Sequence, residues 1–225
     1  MEVPAINEAH GFRFNLSFTP DSDERAKEYE RECESRRQEE ALIRYRNSGV
    51  PAKFFGESID TYIARTDEEK RIRKEVERFA ERPMNKVLLM CGSNGNGKTH
   101  LGCGIIRKCG GEYALSSDIC IEYEAAISFK SKRDRLQILR HFCECRMLVV
   151  DECGKYALDK ELEKFINSYI LCGRYERGRP SVFITNAAKE RYIEFLGKSV
   201  FDRLTECCVT IDFAGESKRK RLGDF

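Results

Sequence analysis

The stretch that decides the fold runs from residue 86 to residue 99: Lys86-Val-Leu-Leu-Met-Cys-Gly92-Ser-Asn-Gly-Asn-Gly97-Lys98-Thr99. Its apolar start, Lys86–Cys91, predicts a buried strand, and the residues after it match the phosphate-loop pattern G-x-x-x-x-G-K-[ST] at every fixed position. A helix is predicted directly behind the loop, over Thr99–Cys109. Glycines in such a loop let consecutive backbone N–H groups point at one anion, and the helix N-terminus adds positive potential. The sequence therefore predicts a nucleotide-phosphate site within an α/β fold.

The residue types of this loop predict which groups hold the nucleotide. Lys98 is expected to reach the β- and γ-phosphates, and the hydroxyl of Thr99 is expected to ligate Mg²⁺. ATP and Mg²⁺ are therefore the expected cofactors. The predicted nucleotide-binding residues are Gly92, Ser93, Asn94, Gly95, Asn96, Gly97, Lys98, Thr99 and His100.

Strand-like and helix-like segments alternate through the rest of the chain. A capping box, Thr66–Glu69, opens a helix whose apolar stripe is Ile72, Val76 and Phe79. Four more strands are predicted at Glu112–Ser116, Arg146–Asp151, Ser181–Asn186 and Cys207–Phe213. Helices are predicted at 117–129, 132–145, Asp159–Arg174 and 188–204, the third burying a face of Leu162, Phe165, Ile166, Tyr169 and Ile170. Apolar strands between helices predict a five-stranded parallel sheet covered on both faces.

Polar residues follow the predicted strands at their carboxyl ends, where ligands bind in open α/β sheets. Asp151 is expected to hold the Mg²⁺ shell, and Glu152 to orient or deprotonate the water that attacks the γ-phosphate. Asn186, after the fourth strand, is a candidate contact to that water or to the γ-phosphate; the alternative is an asparagine that serves the turn. The second carboxylate favours hydrolysis over phosphotransfer, so the sequence predicts an ATPase.

Two arginines are candidates for contacts between subunits. Arg203 precedes the last strand and is a candidate arginine finger, which would stabilise transition-state charge on a neighbouring subunit's nucleotide. The alternative for Arg203 is an ordinary surface arginine. Arg174 is a weaker interface candidate, because a cation also suits the C-terminus of a helix.

Composition limits the possible partners. Lys plus Arg number 40 and Asp plus Glu number 38 in 225 residues, so the net charge of +2 excludes bulk electrostatic binding of nucleic acid. A local basic segment near Phe129 is a candidate track for single-stranded DNA, and the alternative is a solvated helix face. The basic residues of this segment are Lys130, Lys132, Arg133 and Arg135.

Three further patterns concern location and the N-terminal region. The chain shows no apolar run long enough for a membrane span and no signal-peptide pattern at residues 1–12, so no membrane partner is expected. Eleven cysteines, none in C-x-x-C spacing and several inside apolar runs, predict reduced, buried thiols and a cytoplasmic protein. Residues 21–47 hold nine acidic and seven basic residues and predict a charged helix, either solvated or docked on a partner.

Four motifs, taken in order, resemble the DnaC/IstB-type AAA+ ATPases. They are Gly-Asn-Gly97-Lys-Thr-His100-Leu, Val-Val-Asp151-Glu-Cys-Gly154, Phe-Ile-Thr-Asn186 and Val-Phe-Asp202-Arg-Leu. The resemblance covers residues 42–222 and implies a P-loop NTPase fold of the ASCE type, with strand order 5-1-4-3-2 and without a full C-terminal helical lid. Gly102 and Gly104 depart from the pattern, because they replace better helix formers at a cost of about 1 kcal/mol each.

The resemblance also implies a function. In the loader branch of the family, an N-terminal helical arm, here residues 1–47, grips a DnaB-type replicative helicase. The AAA+ part, here residues 48–225, binds ATP, self-associates and touches single-stranded DNA between its second and third strands. The expected function is therefore an ATP-dependent helicase loader in DNA replication.

Other functions stay open beside the loader. The main alternative is an IstB-like transposition helper ATPase, which has the same site but serves a transposase. A nucleotide switch that does not hydrolyse ATP also stays open. A small-molecule phosphotransferase is disfavoured by the Asp151-Glu152 pair and by Arg203.

Overall fold

A computed structural model describes residues 20–127, 133–205 and 207–214, apart from the side chains of residues 20–23, 199, 203 and 204. The protein divides into two compact units, Met1–Glu40 and Ala41–Phe225. Within the described ranges, no helix combines the length and the apolarity that crossing a membrane requires.

The first unit contains most of a long charged helix. This helix, α1, spans Pro20–Arg46, and its residues 24–40 are exposed apart from the half-buried Cys33. A helix was expected over 21–47, so this prediction is confirmed. The second unit begins before residue 48, because Tyr45 is only 4% exposed and packs into the core of that unit.

The second unit alternates strands and helices in the order that the sequence predicts. Its strands are β1 (Val87–Gly92), β2 (Glu112–Leu115), β3 (Leu148–Cys153), β4 (Ser181–Thr185) and β5 (Cys208–Phe213). Its helices are α2 (Asp67–Glu81), α3 (Lys98–Cys109), α4 (Ser116–Ala125), α5 (Arg135–Glu144), α6 (Lys160–Glu176), α7 (Lys189–Leu196) and α8 (Lys198–Leu204). The capping box of Thr66 and Glu69 forms at the start of α2, as predicted.

The five strands form one parallel sheet in the order β2-β3-β4-β1-β5. The expected order 5-1-4-3-2 is therefore confirmed. Successive residues of β1 pack on opposite faces: Leu88 and Met90 pack in the cluster with α2 and α3, whereas Leu89 and Cys91 pack in the cluster with α4 to α7. Because helices cover both faces, the central strands β1, β3 and β4 are buried almost throughout, whereas the edge strands β2 and β5 are only partly buried. The carboxyl ends of the strands meet at one edge, beside the phosphate loop.

The structure differs from two helix predictions in part. The helix expected over 188–204 is two helices, because Gly197 takes a φ of 94° and ends α7 before α8 begins. The buried face of α6 is also rotated from the predicted one. Phe165 and Tyr169 are 47% and 38% exposed, whereas Glu163 and Asn167 are fully buried.

Glu163 occupies the buried face of α6 because three donors meet its carboxylate. Its Oε1 accepts from the Ser116 hydroxyl at 2.6 Å and from the Gly154 N–H at 2.8 Å. Its Oε2 accepts from the Tyr156 N–H at 2.9 Å. A buried carboxylate is tolerated when hydrogen bonds replace its hydration. Glu163 therefore ties the start of α4 and the loop after β3 to α6.

Arg174 is a structural residue, so its assignment as an interface candidate is wrong. Its side chain is fully buried, and burial lowers the pKa of the guanidinium. The guanidinium donates at 2.5 to 3.0 Å to the carbonyl oxygens of Phe142, Cys145 and Pro180. These contacts join α6 to the end of α5 and to the loop before β4.

All eleven cysteines lie within the described residues. The buried ones are Cys91, Cys103, Cys120, Cys143 and Cys153. Burial raises the pKa of both Cys91 and Cys103 to about 12. These two thiols therefore behave as small apolar core groups at neutral pH.

Candidate nucleotide-binding and hydrolysis site

The phosphate loop joins β1 to α3 and winds through three glycines. Gly92, Gly95 and Gly97 have φ values of 123°, 87° and 90°, which residues with a Cβ rarely adopt. Two of them are also crowded. A Cβ on Gly92 would lie 2.3 Å from the Phe213 carbonyl oxygen, and one on Gly97 would lie 2.5 Å from the ring of Tyr62. Backbone winding and the close approach of neighbouring segments both require glycine here.

Lys98 is folded back over its own loop. It is 4% exposed, and its Nζ donates to the carbonyl oxygens of Gly92 at 2.7 Å and Ser93 at 2.6 Å. Phosphate oxygens are stronger acceptors for an ammonium group, because they carry charge. The first-turn N–H groups of a helix have no acceptor within that helix. The lysine and the start of α3 thus fit the chemistry of nucleotide phosphates.

Asp151 receives donors on both of its carboxylate oxygens. Its Oδ2 accepts from the hydroxyl of Thr99 at 2.7 Å and from the hydroxyl of Tyr113 at 2.8 Å. Its Oδ1 accepts from the Glu152 N–H at 2.6 Å. Asp151 is only 2% exposed, so these contacts fix the orientation of a buried group.

The structure brings together the two residues that the sequence assigns to Mg²⁺. Thr99 and Asp151 come from different elements, α3 and β3, and meet directly at 2.7 Å. Hydroxyl and carboxylate oxygens are the hard ligands that Mg²⁺ prefers. The donor set therefore fits this ion, and the Mg²⁺ role of the two residues stays a prediction.

Tyr113 is part of this cluster although sequence reasoning missed it. Burial, and after it the charge of Asp151, raise the pKa of the Tyr113 hydroxyl. The hydroxyl therefore keeps its proton and acts as a donor. The available signal was a tyrosine on a short strand expected to neighbour the strand that ends in Asp151.

Glu152 lies at an irregular point of β3. Its φ of 58° is positive, and the register between β3 and β4 shifts between Val150 and Cys153. Bulges redirect side chains, and strained residues of this kind cluster at functional sites. The Glu152 side chain is 48% exposed, and its Oε1 lies 3.2 Å from Lys155 Nζ. Glu152 reaches solvent, unlike the buried Asp151 beside it, so its carboxylate can contact a water molecule. The catalytic role of Glu152 stays a prediction.

Asn186 lies at the same edge of the sheet as the loop. It follows β4 directly and is half-buried. The carbonyl of the next residue, Ala187, accepts from the Gly92 N–H at 3.3 Å, so the backbone after β4 contacts the start of the phosphate loop. Arg203 is in α8, but its side chain lies outside the described residues. The roles of Asn186 and Arg203 stay predictions.

His100 is directed at the segment of residues 57–62. Its ring nitrogens lie 3.2 Å from a Glu57 carboxylate oxygen, 2.8 Å from the Ser58 carbonyl oxygen and 3.2 Å from the Thr61 hydroxyl. The side chain therefore clamps this segment on α3, and only its backbone N–H remains a candidate nucleotide contact.

Tyr62 belongs to the same segment and reaches the phosphate loop. Its hydroxyl donates to the Asn96 carbonyl oxygen at 3.3 Å, and its ring packs edge-on against His100 at 5.7 Å. No sequence motif signals this contact, because it depends on how residues 57–62 return to α3.

Two of the four predicted DNA-binding residues can be placed. Arg133 is exposed and lies 3.8 Å from a carboxylate oxygen of Glu122. Arg135 donates to the Tyr123 carbonyl oxygen at 3.3 Å, and its guanidinium lies 4.7 Å from the centre of the Tyr123 ring. Both arginines border the end of α4, and their contact with DNA stays a prediction. Outside the described residues are Lys130 and Lys132.

A cavity of about 1040 Å³ opens along β2, and it is separate from this site. The turn at residues 47–49, the end of α3 and part of α5 line it. Its described lining includes Tyr113 and contains no residue of the phosphate loop.

The chain is similar to known proteins over most of its length. The profile of the family described as IstB-like ATP binding protein matches residues 23–223. An insertion-sequence IS21-like ATP-binding protein of Bacteroides fragilis is 28% identical over 205 residues, covering 84% of this chain and 73% of that protein. The structure of the DnaC helicase loader has a TM-score of 0.62 at 20% identity, covering 73% of this chain and 100% of that chain. The structure of DnaI has a TM-score of 0.58 at 17% identity, covering 75% and 94%.

Proposed function

The chain belongs to the IstB-like ATP-binding protein family and is a P-loop ATPase, and from this premise we propose that it is an ATP-dependent helicase loader. The family membership agrees with the resemblance that its four motifs carry. The similarity to DnaC and DnaI concerns the fold, at identities of 20% and 17%. The helicase partner therefore belongs to the proposal.

The contact between Thr99 and Asp151 is the observation that carries the chemistry. It joins the phosphate loop to the strand that ends in two carboxylates, at 2.7 Å. A bound Mg²⁺ would neutralise the negative charge that develops on the phosphate oxygens during hydrolysis. Thr99 and Asp151 would hold that ion, and Lys98 would exchange its carbonyl acceptors for phosphate oxygens.

The remaining site residues act on water and on the terminal phosphate. Glu152 accepts a proton from the attacking water or orients it, which its exposed carboxylate allows. Asn186 donates to the water or to the γ-phosphate from the end of β4. Arg203 acts on the nucleotide of a neighbouring subunit, so full activity requires self-association.

The charged helix α1 is the part of the chain that we assign to the helicase. Its exposed residues 24–40 carry interspersed acidic and basic side chains, which suit docking on a partner surface of complementary charge. The basic residues before and at the start of α5 are assigned to single-stranded DNA. These are Lys130, Lys132, Arg133 and Arg135.

A transposition helper ATPase is the second candidate function. The observation that favours it is the likeness to the IS21-like ATP-binding protein, which extends over 84% of this chain. The nucleotide site would be the same in both cases. Only the partner distinguishes them, a replicative helicase in one case and a transposase in the other.

The test is the native mass of the full chain mixed with a DnaB-type helicase or with an IS21-type transposase, each with and without ATP. A variant lacking residues 1–40 tests the arm and leaves the compact unit Ala41–Phe225 whole. Lys98→Ala is the matched control that keeps the arm and loses the nucleotide. We expect a helicase complex that requires both ATP and the arm. A complex with the transposase alone would assign the chain to transposition instead.

A further inference from the structure

We infer that Tyr113 is a positioning residue for Asp151, and that it holds this carboxylate in the orientation that Mg²⁺·ATP requires. The inference rests on the proposed function, since it concerns the same Mg²⁺ end of the site. The Tyr113 hydroxyl donates to Asp151 Oδ2 at 2.8 Å. It acts through the carboxylate, whose Oδ2 it shares with the Thr99 hydroxyl.

The sheet register places the Tyr113 side chain beside Asp151. On the neighbouring strands β2 and β3, Tyr113 pairs with Val149, and Leu115 pairs with Asp151. Side chains two residues apart on a strand share a face, so Tyr113 is the diagonal neighbour of Asp151. A phenol is long enough to span this diagonal, and its hydroxyl reaches Oδ2 at 2.8 Å. The ring is 5% exposed and packs in the core that contains α3.

The backbone of Tyr113 is held by the turn at residues 48–49. Its N–H donates to the Ser48 carbonyl oxygen at 2.7 Å, and the Ser48 hydroxyl donates to the Tyr45 carbonyl oxygen at 2.6 Å. Gly49 follows with a φ of 84°, and a Cβ there would lie 2.1 Å from the Tyr113 carbonyl oxygen. The turn at the end of α1 therefore fixes the strand from which the phenol projects.

Two donors on one carboxylate oxygen have a consequence for metal binding. The Thr99 hydroxyl would take part in holding the metal, whereas the Tyr113 hydroxyl has only the carboxylate assigned to it as acceptor. The Tyr113 hydroxyl stays on the same oxygen and keeps the buried carboxylate from rotating. Partners that orient a ligating group in this way typically contribute a factor of about 10 to 100 in metal affinity or activity.

The test is Tyr113→Phe, which removes the hydroxyl and keeps the ring. The readout is the binding of a fluorescent ATP analogue, titrated with Mg²⁺ and also measured in EDTA. We expect the Mg²⁺ concentration at half-saturation to rise about 10-fold, with the affinity in EDTA unchanged. Tyr156→Phe is the matched control, because it removes another buried tyrosine's hydroxyl, bonded to Glu124 at 2.7 Å. It should leave both values unchanged.

A double-mutant cycle separates positioning from a general structural effect. In an Asp151→Asn background, the effect of Tyr113→Phe on the Mg²⁺ midpoint should fall below about 2-fold, because the two residues act as one unit. Gly49→Ala offers a second route, since it displaces the Tyr113 carbonyl and leaves the phenol intact; it should shift the Mg²⁺ midpoint in the same direction.

Three results would overturn the inference. One is an unchanged Mg²⁺ midpoint in Tyr113→Phe, and another is an equal loss of affinity in Mg²⁺ and in EDTA. The third is a full effect that persists in the Asp151→Asn background. Failure of the unaltered chain to bind the analogue at all would instead overturn the proposed function, and this inference with it.

Discussion

Replacing Gly104 with alanine tests how α3 is packed. Gly104 lies in the middle of this helix, where alanine is the better helix former by about 1 kcal/mol. A Cβ at this position would lie 2.6 Å from the Ile59 nitrogen and 2.9 Å from the Ser58 carbonyl carbon. Both atoms belong to backbone that His100 already clamps on α3. The segment must therefore move before the methyl group can fit.

The magnitude follows from two opposing contributions. Overpacking a well-filled region costs about 1 to 3 kcal/mol, and a backbone obstacle favours the upper end of that range. Subtracting the propensity gain of about 1 kcal/mol gives a net destabilisation of about 2 kcal/mol. For a chain of this size that corresponds to a fall of about 4 to 8 °C in Tm.

Thermal and urea unfolding of Gly104→Ala measure this value, and Gly102→Ala is the matched control on the same helix. A Cβ on Gly102 would meet the tip of a flexible side chain, Ile184 Cδ1, at 2.7 Å. Its cost should be smaller, because a side-chain tip can rotate where backbone cannot. A Gly104→Ala protein as stable as the unaltered chain would refute the argument from close approach.

Three further predictions concern the site, the core and pH. Lys98→Ala should abolish binding of a fluorescent ATP analogue, whereas Glu152→Gln should keep binding and lose hydrolysis in a phosphate-release assay; equal loss of binding in both variants would contradict the separate roles. Glu163→Ala should lower the free energy of unfolding by about 3 kcal/mol, because a buried hydroxyl and two backbone N–H groups lose their acceptor. In urea unfolding, Glu161→Ala on the exposed face of the same helix should leave the midpoint unchanged, and similar effects of the two variants would count against the buried network. Burial raises the pKa of Cys91 from 9.0 to about 12, so the thiol ionises in the unfolded chain at a lower pH than in the folded one. The contribution of Cys91 to the free energy of unfolding is therefore fully present below pH 9 and should be lost as the pH rises towards 12. Urea midpoints under reducing conditions at pH 8 and pH 10 check this, and a Cys91→Ala protein with the same pH dependence would assign the fall to other groups.

Much of the nucleotide site was determined by the sequence itself. The loop from Gly92 to Thr99 and the Asp151-Glu152 pair are local patterns, each following an apolar strand. Because parallel strands end at one edge of a sheet, their carboxyl ends had to meet, and Thr99 and Asp151 do so at 2.7 Å. The strand order was predicted because the four motifs resemble those of the DnaC/IstB-type ATPases, and that family has this sheet topology.

Only the tertiary structure decided which polar groups are buried. Hydrophobic pattern placed Phe165 and Tyr169 inward, yet α6 turns Glu163 and Arg174 into the core. Hydropathy counts a side chain by its type, whereas burial depends on whether distant segments supply hydrogen-bond partners for it. Tyr113 was missed for the same reason: its partner Asp151 is 38 residues away in the chain. Contacts of this kind arise from the approach of separate elements, so no local pattern in the sequence encodes them.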